Sequence, residues 1–152
     1  MKTQKNKFYL LSTKYPTKEK IMEKQIKFRK ETIAAVKKWK EKYTPLYKLK
    51  REQRFQALQS LVKTLENIYE KPISTVVYKK NLPSYCYDPM ARKIYMNKRL
   101  SIISTLHEFG HHLFGSSETQ ACRWSVQLFK KVFPENFSKL KWIGHQLVKT
   151  KK

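Results

Sequence analysis

Residues 105–115 read TLHEFGHHLFG and contain the pattern His107-Glu108-x-x-His111. Four residues along an α-helix turn about 400°, so the two imidazoles lie on one face, about 6 Å apart along the axis. At that spacing two ring nitrogens can bind one zinc ion. The stretch therefore predicts a helix that carries two ligands of a metal site.

This helix is predicted to be buried, because Leu106, Phe109 and Leu113 place apolar side chains among the polar ones. Two histidines and a glutamate in such a place are costly without a metal to satisfy them. Glu108 lies about 100° round the helix from His107. A carboxylate there can take a proton from a water that attacks a carbonyl carbon, so Glu108 is the candidate general base. The alternative is a core helix whose histidines are hydrogen-bonded and inert.

A third ligand is expected, since zinc hydrolases usually bind the metal through three protein groups. Gly115 can end the first helix in a left-handed turn, and Ser117 with Gln120 can cap the next one. Glu118 would then lie in the first turn of a helix that folds back beside the site. It is the candidate third ligand, although a first-turn glutamate is also favoured by the helix dipole alone. The sequence offers three rivals: His112, Cys122 and His145.

The rest of the chain has the pattern of an α+β protein. Residues 1–72 form a basic helical region, and residues 73–152 form the unit that contains the site. Apolar spacing predicts helices over 17–43, 55–69, 100–114, 118–132 and 135–149. β-Branched and aromatic runs predict a small antiparallel meander over 73–80, 84–87 and 93–97.

Composition adds a charge that the site does not explain. The 152 residues carry 34 Lys and Arg against 11 Asp and Glu, a net charge of +23. Such a charge points to an anionic partner, and contacts to nucleic-acid phosphates would be independent of sequence. Three glycines exclude glycine-rich phosphate loops, and two cysteines exclude a disulfide framework. No signal-like or membrane-spanning stretch is present, so a cytoplasmic location is expected.

Residues 94–134 read IYMNKRLSIISTLHEFGHHLFGSSETQACRWSVQLFKKVFP. This text resembles the ImmA/IrrE-like zinc metallopeptidases, a compact gluzincin group in which an HExxH helix is followed by an E-x-x-A helix. Here the second helix would carry Glu118-x-x-Ala121-x-x-Trp124. The resemblance implies Zn²⁺ as cofactor, with His107, His111 and Glu118 as ligands and Glu108 as general base. It also implies a minimal zincin-like fold and a peptidase of phage or mobile-element type.

One departure from that family concerns spacing. The family places a longer segment between its second histidine and the glutamate, whereas six residues intervene between His111 and Glu118. The DNA-repair proteases of the SprT type need a downstream histidine instead, and only His145 is available.

Within this fold, the strand over 93–97 is expected to form the rim of the cleft and to bind an extended peptide. Tyr85, Tyr87 or Tyr95 could then supply a hydroxyl to the developing oxyanion. Three functions stay open: a zinc endopeptidase, a basic nucleic-acid-binding or virion-associated protein with a zincin fold, and a structural zinc domain.

Overall fold

Helices make up most of the described chain, and a small sheet lies between them. A computed structural model of the protein describes residues 16–143 and 146–149. The α+β class is confirmed. The helices are α1 Lys18–Met22, α2 Lys30–Tyr43, α3 Arg51–Tyr69, α4 Ile102–Phe114, α5 Glu118–Val132 and α6 Pro134–Ser138, with a 3₁₀ turn at Leu46–Lys48. The strands are β1 Thr75–Tyr78, β2 Cys86–Asp88, β3 Lys93–Met96, β4 Leu140–Ile143 and β5 Gln146–Lys149.

The three-stranded sheet is mixed, so the predicted antiparallel meander is wrong. The strand order is β1-β3-β2, with β3 parallel to β1 and antiparallel to β2. Ile94 and Met96 of β3 are fully buried, which requires the centre of the sheet. β2 has only three residues, begins at the exposed Cys86 and takes an edge. The strand expected to form a cleft rim is therefore internal, and β2 lies at the edge of the sheet.

The N-terminal region is also different from the single helix predicted over 17–43. Residues 23–29 form no helix, and the side chain of Gln127 on α5 is bonded to their backbone. The amide N–H of Ile26 donates to Gln127 Oε1 at 2.8 Å, and Gln127 Nε2 donates to the carbonyls of Ile21 and Lys24 at 2.9 and 2.6 Å. A partner about a hundred residues away thus takes backbone groups that a continuous helix would use internally.

The predicted C-terminal helix over 135–149 is wrong for most of its length. Helix α6 stops at Ser138, and β4 then pairs with β5 in an antiparallel ladder with Ile143 opposite Gln146.

One buried apolar cluster joins the N-terminal helices to the site helices. It contains Val36 and Trp39 of α2, Leu61 of α3, Phe109 of α4 and Leu128 of α5. The Trp39 indole N–H donates to the carbonyl of Ala57 at 2.8 Å inside it. The division of the chain into residues 1–72 and 73–152 stays a prediction, and the two parts share this cluster.

Candidate metal centre

Helix α4 places His107 and His111 side by side. Ser101 caps the helix, and its hydroxyl accepts the amide N–H of Ser104 at 3.2 Å. The two imidazole centroids are 4.8 Å apart, with their planes nearly perpendicular. The two side chains are 17% and 14% exposed, so the pair lies in a partly open position that a small ligand can reach.

A short connection brings α5 back against this face. Gly115 ends α4 with φ at +74°, a backbone conformation that side-chain-bearing residues rarely adopt, and Ser117 caps α5 by accepting the amide N–H of Gln120. The helices then run in close contact, since a Cβ added to Gly110 would stand 3.1 Å from Cα and from the carbonyl oxygen of Ala121. Glu118, the first residue of α5, therefore lies beside the two histidines.

The three side chains converge on one atom. His107 Nε2 and His111 Nε2 each lie 3.1 Å from Glu118 Oε1. Zinc bonds of about 2.0–2.1 Å in a tetrahedron separate neighbouring ligand atoms by about 3.3 Å. These spacings and the nitrogen and oxygen donors fit a zinc ion.

The orientation of His111 is fixed from its far side. Its Nδ1–H donates to the carbonyl of Gly115 at 2.8 Å, because a carbonyl can only accept. Nε2 faces Glu118 and donates its hydrogen to Oε1 at 3.1 Å, because an ionised carboxylate can only accept; loss of that proton leaves a lone pair that can bind a metal. A hydrogen bond at the outer nitrogen is the usual way in which proteins orient a metal-binding histidine.

Cys122 belongs to the same group, one helical turn after Glu118. The thiol Sγ lies 3.7 Å from His107 Nδ1, whereas Glu118 Oε1 contacts Nε2 of the same ring. His107, Glu118 and Cys122 form a group that could hold a metal ion, with ligand atoms within 4.8 Å of one another. Two three-residue sets thus share His107 and Glu118 and differ in His111 or Cys122. Burial raises the pKa of the Cys122 thiol to about 12, and the charge of Glu118 adds to this effect.

Glu108 lies beside this group and is 8% exposed. Burial raises the pKa of its carboxyl, while the nearby His107 and His111 act in the opposite direction. Among the hydrogen bonds of residues 16–143, none engages the Glu108 carboxylate.

The charges of the group support one another. The hydrogen bond that His111 donates to Glu118 raises the pKa of the ring to about 9, against the opposing effect of burial. Burial acts to raise the pKa of Glu118, but the hydrogen bonds and charges of His107 and His111 outweigh it and lower the pKa to about 2. The site thus favours an ionised Glu118 carboxylate beside the two imidazoles.

His112, a rival ligand, points to the other side of α4. Its Nε2–H donates to the carbonyl of Lys71 at 2.9 Å, and its Nδ1 accepts the hydroxyl of Tyr87 at 2.6 Å. Both nitrogens are occupied by protein groups, and burial lowers the pKa of the ring. The structure does not bring His112 to the group. His145, the other rival, lies outside the described residues.

The three tyrosines proposed for the oxyanion do not converge on the group. The Tyr87 hydroxyl bonds to His112, and the buried Tyr85 hydroxyl accepts the amide N–H of Ser101 at 2.9 Å. Burial, with a smaller effect from the charge of Glu108, raises the pKa of Tyr85 to about 12. Tyr95 alternates with the buried Ile94 and Met96, and its ring lies under the Lys79 ammonium on the opposite face of the sheet. The role of these hydroxyls stays a prediction.

The sequence offers Cys122 as a rival ligand, because its spacing of four residues from Glu118 puts both on one face of α5. The structure brings this residue into a group with His107 and Glu118.

No helix within residues 16–143 and 146–149 is long and apolar enough to cross a lipid bilayer. The chain matches no protein-family model, no curated protein and no solved structure.

Proposed function

We propose that this chain is a zinc-dependent metalloendopeptidase, similar to the ImmA/IrrE-like metallopeptidases. One observation carries the proposal: the Nε2 atoms of His107 and His111 both lie 3.1 Å from the same oxygen of Glu118. An inert core helix gives no reason for a carboxylate from a second helix to join two histidines at the spacing of zinc ligands.

In this proposal His107, His111 and Glu118 hold the metal. A zinc ion held there would polarise a carbonyl group and make water a stronger acid. The Nδ1–H bond from His111 to Gly115 keeps the lone pair of Nε2 directed into the site. Cys122, whose thiol lies 3.7 Å from His107 Nδ1, is left outside the ligand set.

Glu108 moves the proton. Its carboxylate oxygen accepts a proton from the water that attacks the peptide carbonyl, and then delivers it to the amide nitrogen of the leaving segment. The absence of a competing hydrogen bond to Glu108 among residues 16–143 supports this role. Burial supports it as well, because a carboxylate with little hydration needs little reorganisation to take up a proton.

The substrate backbone is proposed to add to β2 rather than to the central strand β3. β2 lies at the edge of the sheet and contacts α4, the helix that carries Glu108. An extended peptide along such an edge forms main-chain hydrogen bonds with little dependence on side chains.

The experiment is zinc per chain, measured by mass spectrometry on dialysed wild type and Glu118→Ala, followed by cleavage of a mixed peptide library. We expect near-stoichiometric zinc in the wild type and clear loss in the variant. Wild-type protein without zinc would contradict the proposal. If chelation of zinc unfolds the chain instead of only silencing it, the structural zinc domain is the better description.

A second candidate function, association with nucleic acid, is favoured by one surface. Among the lysines and arginines in residues 16–143, only Arg123 has a carboxylate within 4.0 Å. A groove between α2 and α3 is lined by two lysines, three hydroxyl groups and no carboxylate, from Lys38, Lys42, Tyr43, Ser60 and Thr64, beside Ala35 and Trp39. Lysines and hydroxyls are the groups that contact phosphate oxygens.

Its test compares two charge reversals of equal size. Lys38→Glu/Lys42→Glu changes the groove, and Lys139→Glu/Lys141→Glu changes two exposed lysines elsewhere. Binding to a fluorescent DNA duplex is measured against salt concentration. If the groove makes two phosphate contacts, the first variant lowers the salt slope by about 2 and the second leaves it unchanged. Equal losses in both variants would show that the net charge alone is responsible.

A further inference from the structure

We propose that Cys122 is a positioning residue that holds the His107 ring at Nδ1, under the cover of helix α1. The inference rests on the proposed function, because it takes His107 as a metal ligand through Nε2.

The two contacts on His107 are made to its two different ring nitrogens. Nε2 is 3.1 Å from Glu118 Oε1, and Nδ1 is 3.7 Å from Cys122 Sγ, within the range for a hydrogen bond to sulfur. When Nε2 binds a metal, a neutral ring carries its hydrogen on Nδ1 and donates it to the sulfur. Glu118 and Cys122 are four residues apart on α5, so one helical turn sets both contacts.

His111 shows the same arrangement with a different acceptor. Its outer nitrogen donates to the carbonyl of Gly115 at 2.8 Å. Each proposed histidine ligand therefore has an acceptor on the nitrogen away from Glu118. The sulfur is the weaker of the two acceptors.

A weak hydrogen bond of this kind depends on a dry environment. Cys122 is 7% exposed and packs with Ile21 and Val126 in a small apolar cluster, with Ile103 of α4 at its side. Ile21 belongs to α1 and is 2% exposed. Helix α1 thus excludes water from the thiol that contacts His107 Nδ1.

Polar side chains of α5 hold α1 in this place. Arg123 donates to the carbonyl of Lys20 at 2.7 Å, and Gln127 donates to the carbonyl of Ile21 at 2.9 Å. Arg123 and Gln127 follow Cys122 along the same helix. Helix α5 therefore carries the ligand Glu118, the positioning thiol and the groups that hold its cover.

The test is cobalt binding, followed by optical absorption and by competition with zinc, on the full chain. Cys122→Val keeps the shape and removes the acceptor, Cys122→Ser keeps a polar atom, and Val126→Ala is a control in the same cluster. We expect Cys122→Val to weaken metal affinity roughly 10- to 100-fold, as is typical for loss of an outer partner. Cys122→Ser should lose less, and Val126→Ala should bind like the wild type. Circular dichroism checks that each variant folds.

The absorption spectrum separates positioning from direct binding. If Cys122 is an outer partner, wild-type cobalt protein lacks a thiolate-to-cobalt charge-transfer band in the near ultraviolet. A band that disappears in Cys122→Ser would make Cys122 a ligand and overturn the inference. Wild-type affinity in both Cys122 variants would also overturn it while leaving the peptidase proposal standing. A wild-type chain that binds neither cobalt nor zinc would refute both. Should Cys122→Val fail to fold, the spectrum and affinity of Cys122→Ser decide.

Discussion

The two faces of helix α4 give neighbouring histidines opposite environments. His111 has a carboxylate oxygen at 3.1 Å from Nε2, and its pKa is raised to about 9. His112, the next residue, bonds to a backbone carbonyl and to the hydroxyl of Tyr87, and burial lowers its pKa. On the first face a second helix supplies Glu118, and on the other a turn and a strand supply neutral groups.

This difference shows that chain position and residue type alone do not separate a candidate metal ligand from a structural histidine. A ligand needs one nitrogen directed at other ligands and an acceptor on the other nitrogen. His111 satisfies both conditions. Both ring nitrogens of His112 are hydrogen-bonded to protein groups, so this residue links α4 to Lys71 and to β2 instead.

The largest expected effect comes from replacing the histidine on each face by alanine, one variant at a time. His111→Ala should lower zinc affinity by more than the roughly 10- to 100-fold that loss of an outer partner costs. His112→Ala should leave zinc affinity near the wild type and lower the free energy of unfolding by about 1–3 kcal/mol, because Tyr87 and Lys71 lose a part-buried partner. Competition against a chromophoric chelator and urea titration measure the two quantities. Equal zinc loss in both variants would break the comparison.

A substitution at Glu108 tests whether the proposed metal site is also catalytic. Glu108→Gln should keep zinc but lower the rate of peptide cleavage by about 10²- to 10⁴-fold, since the amide cannot accept the proton. The measurement is the turnover of a cleaved library peptide, with zinc content determined on the same sample. An unchanged rate would remove the general base from the proposal.

Tyr87→Phe sharpens the comparison on the other face at a smaller scale. The change removes the hydroxyl that His112 Nδ1 accepts and keeps the ring, which packs edge-on against the imidazole at 5.4 Å. We expect the free energy of unfolding to fall by about 1 kcal/mol and zinc affinity to stay unchanged. Tyr95→Phe is the control, because Tyr95 lies on the opposite face of the sheet. Equal destabilisation by the two changes would argue against a special role for the His112 contact.

Gly110→Ala should lower the free energy of unfolding on the same small scale as Tyr87→Phe. The added Cβ would meet backbone atoms of Ala121 at 3.1 Å, and the overpacking cost of about 1–3 kcal/mol is partly offset by a gain of about 1 kcal/mol in helix propensity. We expect a net loss of about 1 kcal/mol and a measurable fall in zinc affinity, because Glu118 moves with α5. Adding Ala121→Gly should not restore either quantity, since the two closest contacts are to backbone. Full restoration would show that the helices are not held apart by the backbone.

Local signals predicted much of the molecule near the site. Helix α5 runs over Glu118–Val132 as the sequence predicts. Its start is set locally, because the Ser117 hydroxyl accepts the amide N–H of Gln120, three residues further on. The pairing of His107 with His111 follows from helical spacing alone. The return of Glu118 to that pair follows from the short connection through Gly115.

The failures have distant causes. The break after α1 depends on Gln127, about a hundred residues away, whose amide bonds to the backbone of residues 21–26. Which strand takes the central position depends on how the sheet packs against the helices. The packed fold shows that this strand is β3, whose two core-facing residues are both buried. Over 135–149 the apolar spacing predicts one helix, but β4 and β5 are four-residue strands that pair with each other, and such a pairing leaves no trace in helical periodicity.

The bond from Ile26 to Gln127 also orders events in time. It joins residues 101 positions apart, and the contact of Arg123 with Lys20 joins residues 103 positions apart. Contacts over so much of the chain close late, because loop closure must be completed before they form. We expect α1 to dock after α5 is in place, so that Gln127→Ala speeds unfolding more than it slows folding. Stopped-flow kinetics in urea measure both rates, and a slower folding rate with unchanged unfolding would place α1 in the folding nucleus. On this order of events, helix α1 packs over Cys122 after the rest of the site has been assembled.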